Sequence, residues 1–135
     1  MRAAKDAAAS INPGMKVIAV TVLTSMDEGA IDSVGQRGPA AEQVVRLASL
    51  AQKSGLDGVV CSAHEIAPIR RACGKDFLLV VPGIRPAGSD LADQRRVMTP
   101  REAADAGADI LVIGRPIIAA PDPAAAARDI HASLK

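Results

Sequence analysis

Val81-Pro82-Gly83-Ile84-Arg85-Pro86-Ala87-Gly88-Ser89-Asp90, continuing to Asp93-Gln94-Arg95-Arg96, is the stretch on which the fold turns. The apolar run Phe77 to Val81 leads into it. A run of that length, closed by Pro-Gly, predicts a buried strand. Beyond it come glycines, three arginines, two acids and an amide, with no apolar face. Such a segment builds no core; it is a loop at the mouth of a strand, with chemistry suited to an anion. A second segment of the same kind, Ile113-Gly114-Arg115-Pro116, follows the next strand. Two successive strand ends, each with glycine and arginine, predict a phosphate site.

Working outward, the same alternation recurs. Residues 1–9 are Ala-rich and helical in composition, and Asn12-Pro13-Gly14 breaks them. Lys16 to Leu23 predicts a strand ending in Thr24-Ser25-Met26-Asp27. Residues 28–38 predict a loop or short turn, and Pro39 then opens a helix to Ser54. Val44, Leu47, Ala48, Leu50 and Ala51 recur in that helix near a 3.6 period, and Gly55 stops it. Asp57 to Cys61 is a second strand. A helix from Pro68 to Cys73 follows, because proline suits a first turn. Thr99-Pro100-Arg101-Glu102 is a helix start with cap, proline and an acid three places on. Ala108 to Ile113 is a fourth strand, and Asp122-Pro123 opens a last helix.

Four strand–helix units in series predict a parallel sheet with right-handed crossovers. Polar and glycine residues cluster after the strands, where (β/α) barrels carry their sites. A whole barrel needs about 250 residues, and this chain has 135. The expected fold is therefore α/β, half of a (β/α)8 barrel, strands five to eight, in one domain over residues 1–135.

Composition excludes several classes. The formal charge of +1 gives no general pull toward nucleic acid or membrane. One Phe and no Tyr or Trp leave no stacking platform for single-stranded nucleic acid. Cys61 and Cys73 are too far apart for a CxxC motif and read as packed thiols. No membrane-length apolar run or leader is visible, which predicts a cytoplasmic protein. Asp90 and Asp93 lack a third ligand and sit among arginines, so no metal is expected. His64, after the second strand, reads as a solvated residue in a helix-entry turn.

These residues resemble the C-terminal half of the bacterial orotidine 5′-phosphate decarboxylase family. The resemblance rests on Val20-Thr21-Val22-Leu23-Thr24-Ser25-Met26 and Gly55-Leu56-Asp57-Gly58-Val59-Val60-Cys61-Ser62-Ala63. It continues through Pro82-Gly83-Ile84-Arg85-Pro86, Asp93-Gln94-Arg95-Arg96, Met98-Thr99-Pro100 and Val112-Ile113-Gly114-Arg115-Pro116-Ile117. It implies a lyase that converts orotidine monophosphate to uridine monophosphate and carbon dioxide, without metal or organic cofactor. It further implies that Thr24 lies against the pyrimidine. Arg85 and Gln94 would close over the phosphate, and Gly114 and Arg115 would bind it.

The family's Lys–Asp catalytic array, centred on Asp-x-Lys-x-x-Asp, has no counterpart here. Lys5-Asp6 and Lys75-Asp76 are misplaced to stand in for it. The chain is thus expected to grip the ligand and, by itself, to turn over nothing. Another phosphosugar barrel, of pentulose-phosphate epimerase or hexulose-phosphate synthase type, is the rival enzyme reading. A third reading is a self-assembling half-barrel: the bare edges of the first and fourth strands predict a homo-oligomer, a dimer.

Overall fold

The computed structural model describes residues 1–36, 38–86 and 98–135. Four strands form one sheet in the order β1 (Ile18–Val20), β2 (Gly58–Val60), β3 (Leu78–Pro82), β4 (Ile110–Val112). Every neighbouring pair is parallel. Between and beside them run α1 (Arg2–Ile11), α2 (Glu28–Ser33), α3 (Ala40–Lys53), α4 (Ile66–Cys73), α5 (Pro100–Asp105), α6 (Arg115–Ile118) and α7 (Pro123–Ala132). This is the expected succession of parallel strand–helix units.

The elements differ from expectation where a local cap or a neighbour decides. The strands pair over fewer residues than the apolar runs suggest, because a run measures burial and not ladder bonding. Asp57 and Asp109 stay outside the strands as acceptors for backbone N–H groups. Residues 28–33, expected as loop or turn, form α2. The Asp27 carboxylate caps it by accepting from the Ala30 N–H at 2.9 Å, and Ile31 anchors it in the core. Helix α4 begins at Ile66, two residues before Pro68. Proline fits there because the first four N–H groups of a helix have no intrahelical acceptor. Gly114-Arg115-Pro116 opens the short helix α6, where only a loop was expected. Thr99 caps α5 as its sequence predicted, with Glu102 bonding back to the Thr99 N–H at 2.9 Å.

One face of the sheet is covered. Val59, Cys61, Leu79 and Val81 are fully buried against the helices. Helix α3 meets them with Val44, Ala48 and Ala51, also fully buried. Small side chains let it lie close, while Leu50, on the opposite side, is half exposed. Burying each large aliphatic chain contributes roughly 1.5–3 kcal/mol, which makes this layer the core. Side chains alternate along a strand, so the intervening residues point the other way. There Ile18, Val20, Ile110 and Val112 remain 38%, 58%, 49% and 46% exposed.

The N-terminal ends of the strands are tied together by one device used twice. Asp57 accepts from the Val17 N–H at 2.7 Å and donates its own N–H to the Val17 carbonyl at 2.9 Å. Asp109 does the same with Leu79, at 2.7 and 3.1 Å. A cation from the helix before each pair completes the clamp. Lys5 reaches Asp57 at 2.6 Å, and Arg70 reaches Asp109. Arg70 also donates to the carbonyls of Gly74, Lys75, Phe77 and Gly107. The Lys5 ammonium and the Val17 N–H hold the Asp57 carboxyl down at about 2.

Candidate functional site

The polar residues singled out from the sequence that the structure describes gather at the opposite, C-terminal, ends of the strands. Pro82 and Val112 are register partners on β3 and β4. Arg85 lies three residues beyond the first, and Arg115 three beyond the second. The two arginines therefore leave adjacent strands at the same level and the same end. The turn that frees Arg85 depends on Gly83, whose φ of 76° disfavours any side chain. Ile84 behind it is fully buried and fixes the backbone. The Arg85 N–H then donates to the Met98 carbonyl at 3.0 Å, bringing the chain back to the start of α5.

Arg85 and Arg115 differ in exposure. Arg85 is only 6% exposed, and its guanidinium donates to the Ile84 carbonyl at 2.9 Å. Arg115 is exposed in the first turn of α6. A Cβ added at Gly114 would meet no atom within 4 Å, so the backbone there is open to close approach. Thr24 lies four residues past Val20 on the far edge strand, partly buried, at the same end of the sheet. Gln94, with Asp93, Arg95 and Arg96, lies outside the described residues.

At the mouth of β2 stands an acid that sequence reasoning passed over. Glu65 is 2% exposed and accepts from the Ser62 N–H at 2.8 Å, capping the single 3-10 turn Ala63–Glu65. Its signal was the Ser-x-x-Glu spacing at the end of a strand. His64 beside it is exposed, as expected. Burial, then the Glu65 charge, push the Cys61 thiol up to about 12, so it is no nucleophile at neutral pH. Cys73 is also buried, and burial raises its pKa. Among the described residues no three His, Cys, Asp or Glu side chains gather as a metal site. Nor is any helix among them long and apolar enough to cross a membrane.

The two lysines set aside as misplaced, Lys5 and Lys75, both sit at the other end. Lys5 is bound into the Asp57 clamp. Lys75 and Asp76 are exposed just before β3 begins.

Fold and site together define a class: half of a parallel (β/α) barrel whose arginines and glycines gather at the C-terminal mouth. The family model for orotidine 5'-phosphate decarboxylase / HUMPS matches residues 1–130, and the chain belongs to that family. It is 58% identical over 130 residues to the orotidine 5'-phosphate decarboxylase of Anaeromyxobacter sp. (strain K), covering 96% of this chain and 57% of that one. It is 54% identical over 134 residues to the enzyme of the same name from Nitrosococcus oceani, covering 99% of this chain and 58% of the relative. Among solved structures it is similar to the orotidine 5'-phosphate decarboxylase of Lactobacillus acidophilus, with 40% identity and a TM-score of 0.81. That match covers 99% of this chain and 57% of the other. The chain thus spans about half the length of the relatives it matches.

Proposed function

We propose that this chain is the ligand-gripping half of an orotidine 5'-phosphate decarboxylase, acting in the conversion of orotidine monophosphate to uridine monophosphate and carbon dioxide. The observation that carries the reading is the level placement of Arg85 and Arg115 beyond the paired residues Pro82 and Val112. Arginine offers a planar fork that matches phosphate oxygens. Arg85, Gln94 and Arg115 bind the phosphate through their side chains, and Gly114 binds it through its N–H. Arg85 turns from the Ile84 carbonyl toward the anion when the site fills. Thr24 contacts the pyrimidine. It stands three strands from Arg115, about 14 Å along the sheet at the usual strand spacing. That span suits a ligand with a ring at one end and a phosphate at the other.

The chemical step belongs to a Lys–Asp array that no Asp-x-Lys-x-x-Asp in this chain supplies. The chain alone therefore binds nucleotide and leaves it unchanged. The complete protein is cytoplasmic and needs neither metal nor organic cofactor. It works as a homodimer of whole barrels, because the family resemblance gives one aspartate of the array to a partner subunit. Calorimetric titration of the chain with uridine monophosphate tests the binding claim, and the absorbance of orotidine monophosphate tests the second. Weak saturable binding without turnover is expected. Turnover by the chain alone, or no binding at millimolar nucleotide, would refute the reading.

A further inference from the structure

The two arginines at the strand mouths are held in different ways. Arg115 stands in the first turn of its own helix, α6, whose bonds run back to the Gly114 carbonyl. Arg85 belongs to no helix or strand, since β3 ends at Pro82. Ile84 is buried behind it, and its N–H donates to the Met98 carbonyl at 3.0 Å. That carbonyl shares a peptide unit with the Thr99 N–H, which donates to the Glu102 carboxylate at 2.9 Å. A trans peptide is planar, with its C=O and N–H on opposite sides. Fixing one side therefore fixes the other. One peptide plane links an acid on α5 to the main chain of Arg85.

We propose that Glu102 is a positioning residue for Arg85, and that through the Met98–Thr99 peptide it sets where the Arg85 guanidinium meets phosphate. The inference deepens the phosphate reading above and rests on it.

Several features make the link stiff. Pro100 and Ala103 are buried, so the start of α5 is anchored. Met98 packs against the same core. The Glu102 carboxylate accepts from the Thr99 N–H and also from the Thr99 hydroxyl, at 2.7 Å. These two bonds, the N–H first, keep the Glu102 carboxyl below the usual carboxylate range, so it is charged at neutral pH. An anion at the N–H of a peptide polarises the unit and makes its carbonyl oxygen a stronger acceptor. The charge of Glu102 thus tightens the bond that holds Arg85. Capping of α5 falls to the Thr99 hydroxyl, which accepts from the Glu102 N–H at 3.3 Å. The return bond to the Thr99 N–H lies outside the helix ladder and falls on the peptide that holds Arg85.

The test is made on the full chain with Glu102→Ala and Glu102→Gln. Alanine removes the acceptor, while glutamine keeps a side-chain oxygen for the Thr99 N–H. Glu102→Ala should speed amide exchange at Arg85 roughly tenfold and weaken uridine monophosphate binding about three- to tenfold. Glu102→Gln should recover most of both. Exchange at Leu79 and Val81 should not change, which shows an intact core. Ala104→Gly is the control, because glycine loosens α5 without touching the peptide. It should leave exchange at Arg85 and nucleotide affinity as they were. If Ala104→Gly reproduced the effects of Glu102→Ala, general loosening of α5 would explain them and the proposal would be overturned. Unaltered exchange at Arg85 in Glu102→Ala would overturn this inference alone. A wild-type chain that binds no uridine monophosphate would overturn the phosphate reading, and with it the role given to Glu102.

Discussion

The two ends of the sheet are built on opposite plans. At the N-terminal end two aspartates are each held by a cation and a backbone N–H of the same chain. Asp57 takes Lys5 and Val17, and Asp109 takes Arg70 and Leu79. At the C-terminal end, Arg85 has a backbone carbonyl beneath it and Arg115 stands exposed at a glycine that leaves open space. One end spends its polar groups on holding strands in register; the other holds arginines at a level where a ligand could meet them. The same residue type, arginine, is structural at position 70 and a ligand candidate at 85 and 115, and position in the fold decides which.

The strongest way to break this contrast is at Arg70. Its guanidinium gathers four carbonyls and one carboxylate from the starts of β3 and β4. Removing it takes the cation from Asp109 and a charged donor from the partly buried carbonyls of Phe77 and Gly107. Bonds to a charged group contribute about 1.5–3 kcal/mol each, and they are not additive. Arg70→Ala should cost about 3–4 kcal/mol in urea unfolding. Nucleotide affinity of the molecules that remain folded should not change.

The mirror experiment is Arg115→Ala. An exposed side chain in a short helix costs little to remove, within about 0.5 kcal/mol. Loss of one charge-assisted bond to phosphate should weaken uridine monophosphate binding by about ten- to a hundredfold. If Arg115→Ala destabilised the chain as Arg70→Ala does, the division between the two ends would fail.

A pH titration sharpens the contrast further. The folded Asp57 carboxyl titrates at about 2 against an ordinary 3.8. A group with a lowered native pKa binds fewer protons folded than unfolded, so acid favours unfolding. Its contribution is complete above about pH 5 and is lost as pH falls from about 4 toward 2. With allowance for the partly exposed site, it should amount to about 1–2 kcal/mol. Asp57→Asn should flatten the fall in urea midpoint between pH 5 and pH 2.5.

How much of this could be read from the sequence follows the same division. The alternation of apolar runs with helical periods was enough for the parallel half-barrel, because both signals are local. Thr99-Pro100-Arg101-Glu102 named its own helix start for the same reason. Helix α2 was missed because its anchor is a single buried Ile31 and its cap is an aspartate read as part of the strand end. The clamp at Arg70 left no local mark, since an arginine on an amphipathic helix reads as a solvated face. Its partner did leave one. Gly55-Leu56-Asp57 and Gly107-Ala108-Asp109 repeat a glycine and an aspartate at the same distance before a strand. The burial of Arg85 could not be foreseen, because it goes with a bond from its N–H to the carbonyl of Met98, a residue distant in sequence.

The smallest effect expected is at Asp27, a polar residue at the C-terminal end whose role here is structural. Its position after the first strand makes it a natural suspect for the ligand site. Its carboxylate instead satisfies the Ala30 N–H at the start of α2. Loss of such a cap costs about 1 kcal/mol, and the exposed surroundings put Asp27→Ala near that figure. Helix α2 buries Ile31 and is tied to α3 by the Glu28 carboxylate, which accepts from the Ala40 N–H at 3.0 Å, so amide exchange should quicken over residues 28–33 and stay unchanged across β2 and β3. Nucleotide affinity should move less than twofold. A tenfold loss of affinity with unaltered exchange in α2 would transfer Asp27 to the ligand site, which would then hold an acid as well as its arginines.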